Sequence, residues 1–90
     1  MYKIVALNRF EKDIKLLKKR KIDMGLISAV VSMLANGKKL DVKYKDHALT
    51  GNYEGCRECH VKPDLLLIYK KDKTKVILYL IRTGTHSDLF

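Results

Sequence analysis

The sequence predicts an α+β (α/β) fold: one antiparallel sheet with an N-terminal helical hairpin packed on one face, a single domain over residues 1–90. Three observations predict it. Apolar residues recur at helical spacing from Phe10 to Leu34. Leu65-Leu66-Leu67-Ile68-Tyr69 is a continuous apolar run, expected of a central strand covered on both faces. Asp72-Lys73-Thr74 separates that run from the next strand by so short a turn that the two must be antiparallel.

The elements follow in order. Tyr2 to Leu7 reads as a first strand. Asn8 is placed to cap a helix, with Glu11 completing a capping-box pattern. Phe10, Ile14 and Leu17 form its inner face from about Arg9 to Arg20, and Lys12, Lys15, Lys18, Lys19 and Arg20 mostly cover the outer side. Asp23 caps a second helix, whose Ile27, Val30, Val31 and Leu34 follow the i, i+3, i+4, i+7 pattern. Asn36-Gly37 stops it. The short join between the helices implies an antiparallel hairpin. Lys38 to Asn52 reads as a partly extended surface loop. Tyr53 to Val61 alternates imperfectly as a strand. Pro63 marks a turn, since it fixes φ and lacks an amide donor. Strands then run from Asp64 to Lys70 and from Val76 to Arg82.

Composition narrows the function. Ninety residues allow one modest core. A hydrophobic fraction of 47% is too high for a disordered tail, despite the many charges. The net charge of +9 favours a polyanion partner, such as nucleic acid, anionic membrane or an acidic protein, over a merely solvated surface. No apolar run reaches the ~20 residues of a membrane span. Met1 to Leu7 is too short for a signal-peptide core, so no membrane role is expected and the cytoplasm is the expected compartment.

The three histidines, His47, His60 and His86, all lie in the second half of the chain. His60 precedes Asp64 by one helical turn's worth of sequence, and His86 follows Arg82 by the same interval. If the strands are neighbours, both groups fall at one end of the sheet. Period-2 alternation places Arg82 with Leu80 and Leu78, and His60 with Glu58. RNA transesterification needs such a set. A base takes the 2′-hydroxyl proton, a cation steadies the phosphoryl oxygens, and an acid protonates the leaving 5′-oxygen. Histidine suits both proton transfers because its unperturbed pKa is about 6.5. Arginine suits the phosphate because its fork is always charged and bidentate. No metal or cofactor is expected. Spacing alone leaves open that the histidines are ordinary surface residues and that Arg82 pairs with Asp64 for structure.

Cys56-Arg57-Glu58-Cys59-His60 matches the C-x-x-C-H pattern of haem attachment. That reading wants an exported protein and a second axial ligand. A zinc site wants a fourth ligand, and no second cysteine pair exists. A redox C-x-x-C should open a helix, whereas this one lies in a predicted strand. Two reduced cysteines, with Cys59 in the core, is the reading that the context favours. Near the end of the chain, Gly84 permits a tight turn that returns His86 toward Arg82. Phe90 either stacks on an RNA base or plugs the underside of the sheet.

Tyr44-Lys45-Asp46-His47-Ala48-Leu49, then Arg57 to Tyr69 with its His-Val-Lys-Pro-Asp core, then Arg82-Thr83-Gly84-Thr85-His86-Ser87-Asp88-Leu89-Phe90 resemble the YafQ-type toxins. These belong to the RelE/ParE superfamily of bacterial toxin–antitoxin systems. The resemblance spans essentially the whole chain and implies a RelE-like, microbial-ribonuclease-type fold. It also implies mRNA cleavage, typically at the ribosome, and silencing by an acidic antitoxin. His47, His60, Asp64, Arg82 and His86 match the family's active-site positions, and Phe90 its terminal aromatic. Leu65 departs from members with an aromatic after the aspartate. The implied roles are Arg82 on the phosphate, His86 as acid, Asp64 and His60 as base or its orienting group, and His47 in support. Lys38, Lys39, Lys43 and Lys45 are expected to grip RNA backbone, in a strongly salt-dependent way. The alternatives are a non-catalytic RNA- or antitoxin-binding module and a ParE-like gyrase inhibitor, which would need no proton-transfer groups.

Overall fold

The computed structural model describes residues 1–90. Strand β1 (Lys3–Ala6) leads into helices α1 (Asn8–Lys19) and α2 (Met24–Ala35). Strands β2 (His47–Ala48), β3 (Arg57–Lys62), β4 (Leu65–Asp72) and β5 (Ile77–Gly84) follow, and a one-turn helix α3 (His86–Leu89) comes last. Short 3-10 turns at Val42–Tyr44 and Gly51–Tyr53 flank β2, so the expected loop carries a strand of its own.

The sheet order is β1-β5-β4-β3-β2. The four C-terminal strands pair antiparallel, as expected. The sheet as a whole is mixed, because β1 lies parallel to β5, with Lys3 opposite Ile77 and Ala6 opposite Leu80. The reason is connectivity: a strand joined to the sheet through two helices is free to cross over and run in the same direction. This corrects the expectation of a wholly antiparallel sheet.

The helices form largely as their periodicity dictates. Phe10 and Leu17 of α1 are buried, as are Ile27, Val30, Val31 and Leu34 of α2. Asp23 caps α2, its side chain accepting from the Gly25 amide at 2.8 Å. Gly37 beyond the end of α2 adopts φ +73°, where a side chain would be strained. Asn8 does not cap α1. Leu7 holds that position with extended backbone, because its amide still donates to Leu80 of β5 while its carbonyl accepts from Glu11. The edge strand therefore runs into the helix without a residue to spare for a side-chain cap.

Strand β4 is buried on both faces. Leu65, Leu67 and Tyr69 join the core under α1 and α2, with Leu78 and Leu80 of β5 and Cys59 of β3. Leu66 and Ile68 point to the other face, where Leu89 of α3, Leu49, Tyr53 and Ile81 cover them. Each such leucine or isoleucine contributes about 1.5–3 kcal/mol on burial, so β4 anchors both layers.

Pairing between β4 and β5 has one irregularity. Tyr69 faces Leu80, whereas Ile68 faces Arg82, leaving Ile81 as an extra residue. This bulge reverses the expected alternation. Leu78 and Leu80 stay under the helices, but Arg82 takes its place across from Ile68, on the opposite face.

Candidate active site on the face away from α1 and α2

The bulge decides which groups meet. Across the sheet, Glu58 of β3 pairs with Ile68 of β4, and Ile68 pairs with Arg82 of β5. Cross-strand partners share a face, so Glu58 and Arg82 lie on the same side. His60 pairs with Leu66 and joins them there. His47 of β2 sits opposite Glu58. The expected faces of His60 and Arg82 thus coincide, through a register shift that plain alternation did not foresee.

The histidines form a row. The His47 and His60 rings are 6.3 Å apart, and the His60 and His86 rings 5.7 Å apart. Glu58 lies beneath the first pair, its Oε1 3.4 Å from His47 Nε2 and 3.9 Å from His60 Nε2. It is only 5% exposed, and its Oε2 has no partner. A buried carboxylate oxygen without a partner is costly unless function employs it. His47 Nδ1 donates to the Lys45 carbonyl at 2.6 Å, which aims Nε2 at Glu58. His60 Nδ1 makes a longer approach, 3.4 Å, to the Pro63 carbonyl.

His86 is held by Asp64 alone. Oδ1 of Asp64 accepts from His86 Nδ1 at 2.7 Å and from the His86 amide at 3.0 Å. These bonds hold the Asp64 carboxyl below its ordinary pKa. The aspartate fixes the tautomer of His86 and leaves Nε2 free.

The turn carrying His86 is clamped from behind. Thr85 and Asp88 form a capping box, with the Thr85 hydroxyl accepting from the Asp88 amide and the Asp88 carboxylate from the Thr85 amide. Arg20 at the end of α1 grips both Asp88 oxygens, at 2.7 and 3.0 Å. Gly84 is needed beside them. Its φ is +155°, and a Cβ there would meet Asp88 Cβ at 2.9 Å.

Arg82 pairs with Asp13 of α1, not with Asp64. Its Nε and one terminal nitrogen donate to Asp13 at 2.7 and 3.1 Å. The Thr83 amide donates to Asp13 at 3.1 Å. Strand β1 pairs no further than Leu80, and Asp13 supplies the acceptor that β5 lacks beyond it. Asp13 raises the Arg82 pKa further, with burial opposing and the Tyr53 hydroxyl adding. Tyr53 also meets Phe90 edge-on at 6.1 Å. Leu89 is the buried plug, while Phe90 stays 66% exposed, which leaves its ring available to a base.

The four loop lysines do not act as one group. Lys43 and Lys45 line a concavity with His60, Lys62 and Pro63, of about 470 Å³. Lys38 and Lys39 line a separate one. The cysteines also diverge: Cys59 packs under the helices and Cys56 against the other layer. Burial pushes the Cys59 thiol up to about 12, with Asp46 and Glu58 adding to it. A shared ligand between them does not fit that geometry, and no three His, Cys, Asp or Glu side chains are arranged to hold a metal.

Glu58, Asp13 and Tyr53 are the site residues that sequence reasoning did not assign. For Glu58 a signal existed, an acid alternating with His60 in a strand. For Asp13 none did, since only the fold brings α1 to the end of β5.

The model of bacterial YafQ toxins of type II toxin–antitoxin systems matches residues 2–90. The chain belongs to the YafQ family. It is 43% identical to the mRNA interferase toxin YafQ of Escherichia coli K12 over 83 residues, 91% of this chain and 88% of that one. A metal-bound toxin from Helicobacter pylori superposes with a TM-score of 0.93 at 47% identity, covering 100% of both chains. YafQ in the E. coli DinJ–YafQ complex superposes with a TM-score of 0.90 at 40% identity, covering 100% of this chain and 99% of that one.

Proposed function

We propose that this YafQ-family toxin is an mRNA endoribonuclease whose outer sheet face cuts RNA by attack of the 2′-hydroxyl on the adjacent phosphate. The observation that carries it is the row His47–His60–His86 on the face that Arg82 shares, with one carboxylate behind each end. The activity of its E. coli relative, an mRNA interferase, supports the same reading.

The geometry suggests the division of labour. His60 accepts the 2′-hydroxyl proton, and Glu58 beneath it steadies the imidazolium that forms. The 2′-oxygen bonds to phosphorus, giving a 2′,3′-cyclic phosphate as the bond from phosphorus to the 5′-oxygen breaks. His86 delivers the proton to that leaving oxygen through Nε2, since Asp64 occupies Nδ1. Arg82 keeps one terminal nitrogen clear of Asp13 and offers it to the phosphoryl oxygens. His47 contacts phosphate or assists His60. Phe90 stacks on a base, and Lys43 and Lys45 hold the strand beside His60. No step requires a metal.

The ribosome as the site of cleavage, the cytoplasm as the compartment and an acidic antitoxin as the regulator belong to the same proposal. The DinJ–YafQ complex supports the last of these, and no helix here is long and apolar enough to cross a membrane.

The test is cleavage of a translated message, followed by end mapping, with one cleaved nucleotide replaced by its 2′-deoxy form. A 2′,3′-cyclic phosphate on the normal message and no cut at the deoxy position are expected. A cut at the deoxy position would rule out attack by the 2′-hydroxyl.

A further inference from the structure

A second concavity, of about 380 Å³, opens on the other side of the sheet, at the C-terminal end of α2. Lys38, Lys39, Arg57, Lys71 and Lys73 line it together with the single acid Asp46. Arg57 and Tyr69 face each other across β3 and β4 on the face under the helices, opposite to His60 and Glu58. A ligand held there is not at the reacting phosphate.

Arg57 is paired with Asp46 and the Lys71 ammonium lies over the Tyr2 ring at 4.9 Å, but none of the four lysines has a carboxylate partner. Both Asp46 oxygens are engaged internally: Tyr69 donates at 2.6 Å and Arg57 at 3.2 Å. Among the ion pairs of the molecule, every carboxylate partner belongs to an arginine or a histidine, and none to a lysine. Lys38, Lys39, Lys71 and Lys73 therefore converge with no internal counter-ion. Burial and neighbouring Lys73 pull the Lys71 pKa down, with Asp46 partly opposing, which is the strain that an external anion relieves.

We propose that this concavity is a second RNA site, which holds the phosphate backbone of a strand or stem remote from the bond being cut. It rests on the reading of the chain as an RNA-cutting enzyme and extends it. The alternative occupant is an acidic protein segment. The lining disfavours that, because its apolar members Leu34, Leu40 and Tyr69 are all buried and offer no exposed anchor for a protein hot spot. Phosphate contacts by lysine need no such anchor and carry no sequence information. The loop from Lys38 to Lys45 also links this concavity to the one beside His60, so a single basic tract joins the two faces.

Binding of 2′-O-methyl oligouridylate, which lacks the attacking hydroxyl, tests the proposal without cleavage. A hexamer is compared with a strand several times longer, for the wild type, for Lys71→Gln/Lys73→Gln, and for Lys12→Gln/Lys15→Gln on α1 as a control of equal charge. The first pair should bind the long strand about tenfold more weakly at low salt and keep its hexamer affinity. The slope of log affinity against log salt should fall by about 0.7 for each phosphate that a lysine no longer neutralises. Weakening no greater than the control pair shows, or equal weakening on the hexamer, would overturn the second site. So would retained RNA binding with weakened binding of a purified acidic antitoxin. Each of these three failures leaves the histidine row to be judged by its own cleavage test.

Discussion

Asp13 grips Arg82 by two nitrogens, at 2.7 and 3.1 Å, across 69 positions of sequence. Both side chains are 12% exposed, so the pair is held firmly and largely out of water. A guanidinium tethered by two of its nitrogens has one orientation, and that is what a cation aimed at a transition state needs.

Asp13→Asn should therefore cut RNA cleavage by about tenfold to a hundredfold, chiefly in kcat. It should also cost about 1–3 kcal/mol of stability, because Arg82 and the Thr83 amide lose a charged acceptor. Single-turnover rates and urea melts of the same preparation separate the two effects. An unchanged rate constant in the folded variant would show that Arg82 orients itself.

Asp64 and His86 should behave as one unit. His86→Ala is expected to lower the cleavage rate by about 10²- to 10⁴-fold, the usual worth of a positioned acid. Asp64→Ala should cost less, and the double variant no more than His86→Ala alone, because Asp64 acts through the imidazole. Additive losses would give Asp64 a separate role as base.

The Arg20–Asp88 clamp predicts a specific acid sensitivity. Asp88 sits well below the ordinary carboxylate pKa of 3.8, first through Arg20 and then through the Thr85 amide. Its folded pKa is depressed, so its stabilisation is complete above the unfolded value and is lost as pH falls below about 4 toward the folded value. Asp88→Asn should lower stability at pH 7 and flatten the decline in that acid range. Thermal melts at stepped pH read this directly. Parallel curves for both proteins would mean that the clamp contributes nothing.

Val76 precedes β5 at φ +56°, a left-handed conformation that a β-branched residue adopts only under strain. It is 44% exposed, so little burial is lost on replacement. Val76→Asn should raise stability by about 1 kcal/mol, since asparagine tolerates that region. For a chain of this size, that corresponds to a rise in Tm of about 4–8 °C. A lower Tm would mean that Val76 packs in a way worth more than the strain.

Much of this was legible in the linear chain. Helical periodicity located α1 and α2, and the unbroken run at Leu65 to Tyr69 announced a strand buried twice over. The motif around His60 and the cluster from Arg82 to His86 marked the residues that the fold gathers. What escaped was set by register. One extra residue, Ile81, moves Arg82 to the histidine face, and strict alternation carries no trace of that. Alternation put Glu58 on the face of His60, but its burial opposite His47 of β2 left no mark in the sequence. The cap at Asn8 failed because a tertiary hydrogen bond from Leu7 took priority over a local one.

The parallel pairing of β1 with β5 has a further consequence, in the order of folding. It joins Lys3 to Ile77, nearly the full length of the chain. Contacts of such separation form slowly and late, after the local hairpins have closed. Asp13 meets Arg82, and Arg20 meets Asp88, across gaps almost as wide. The two clamps that set the arginine and the last histidine are thus as non-local as that pairing and share its loop-closure cost. A chain folded only as far as its local hairpins has His47 and His60 in place beside Glu58 but neither Arg82 nor His86 clamped.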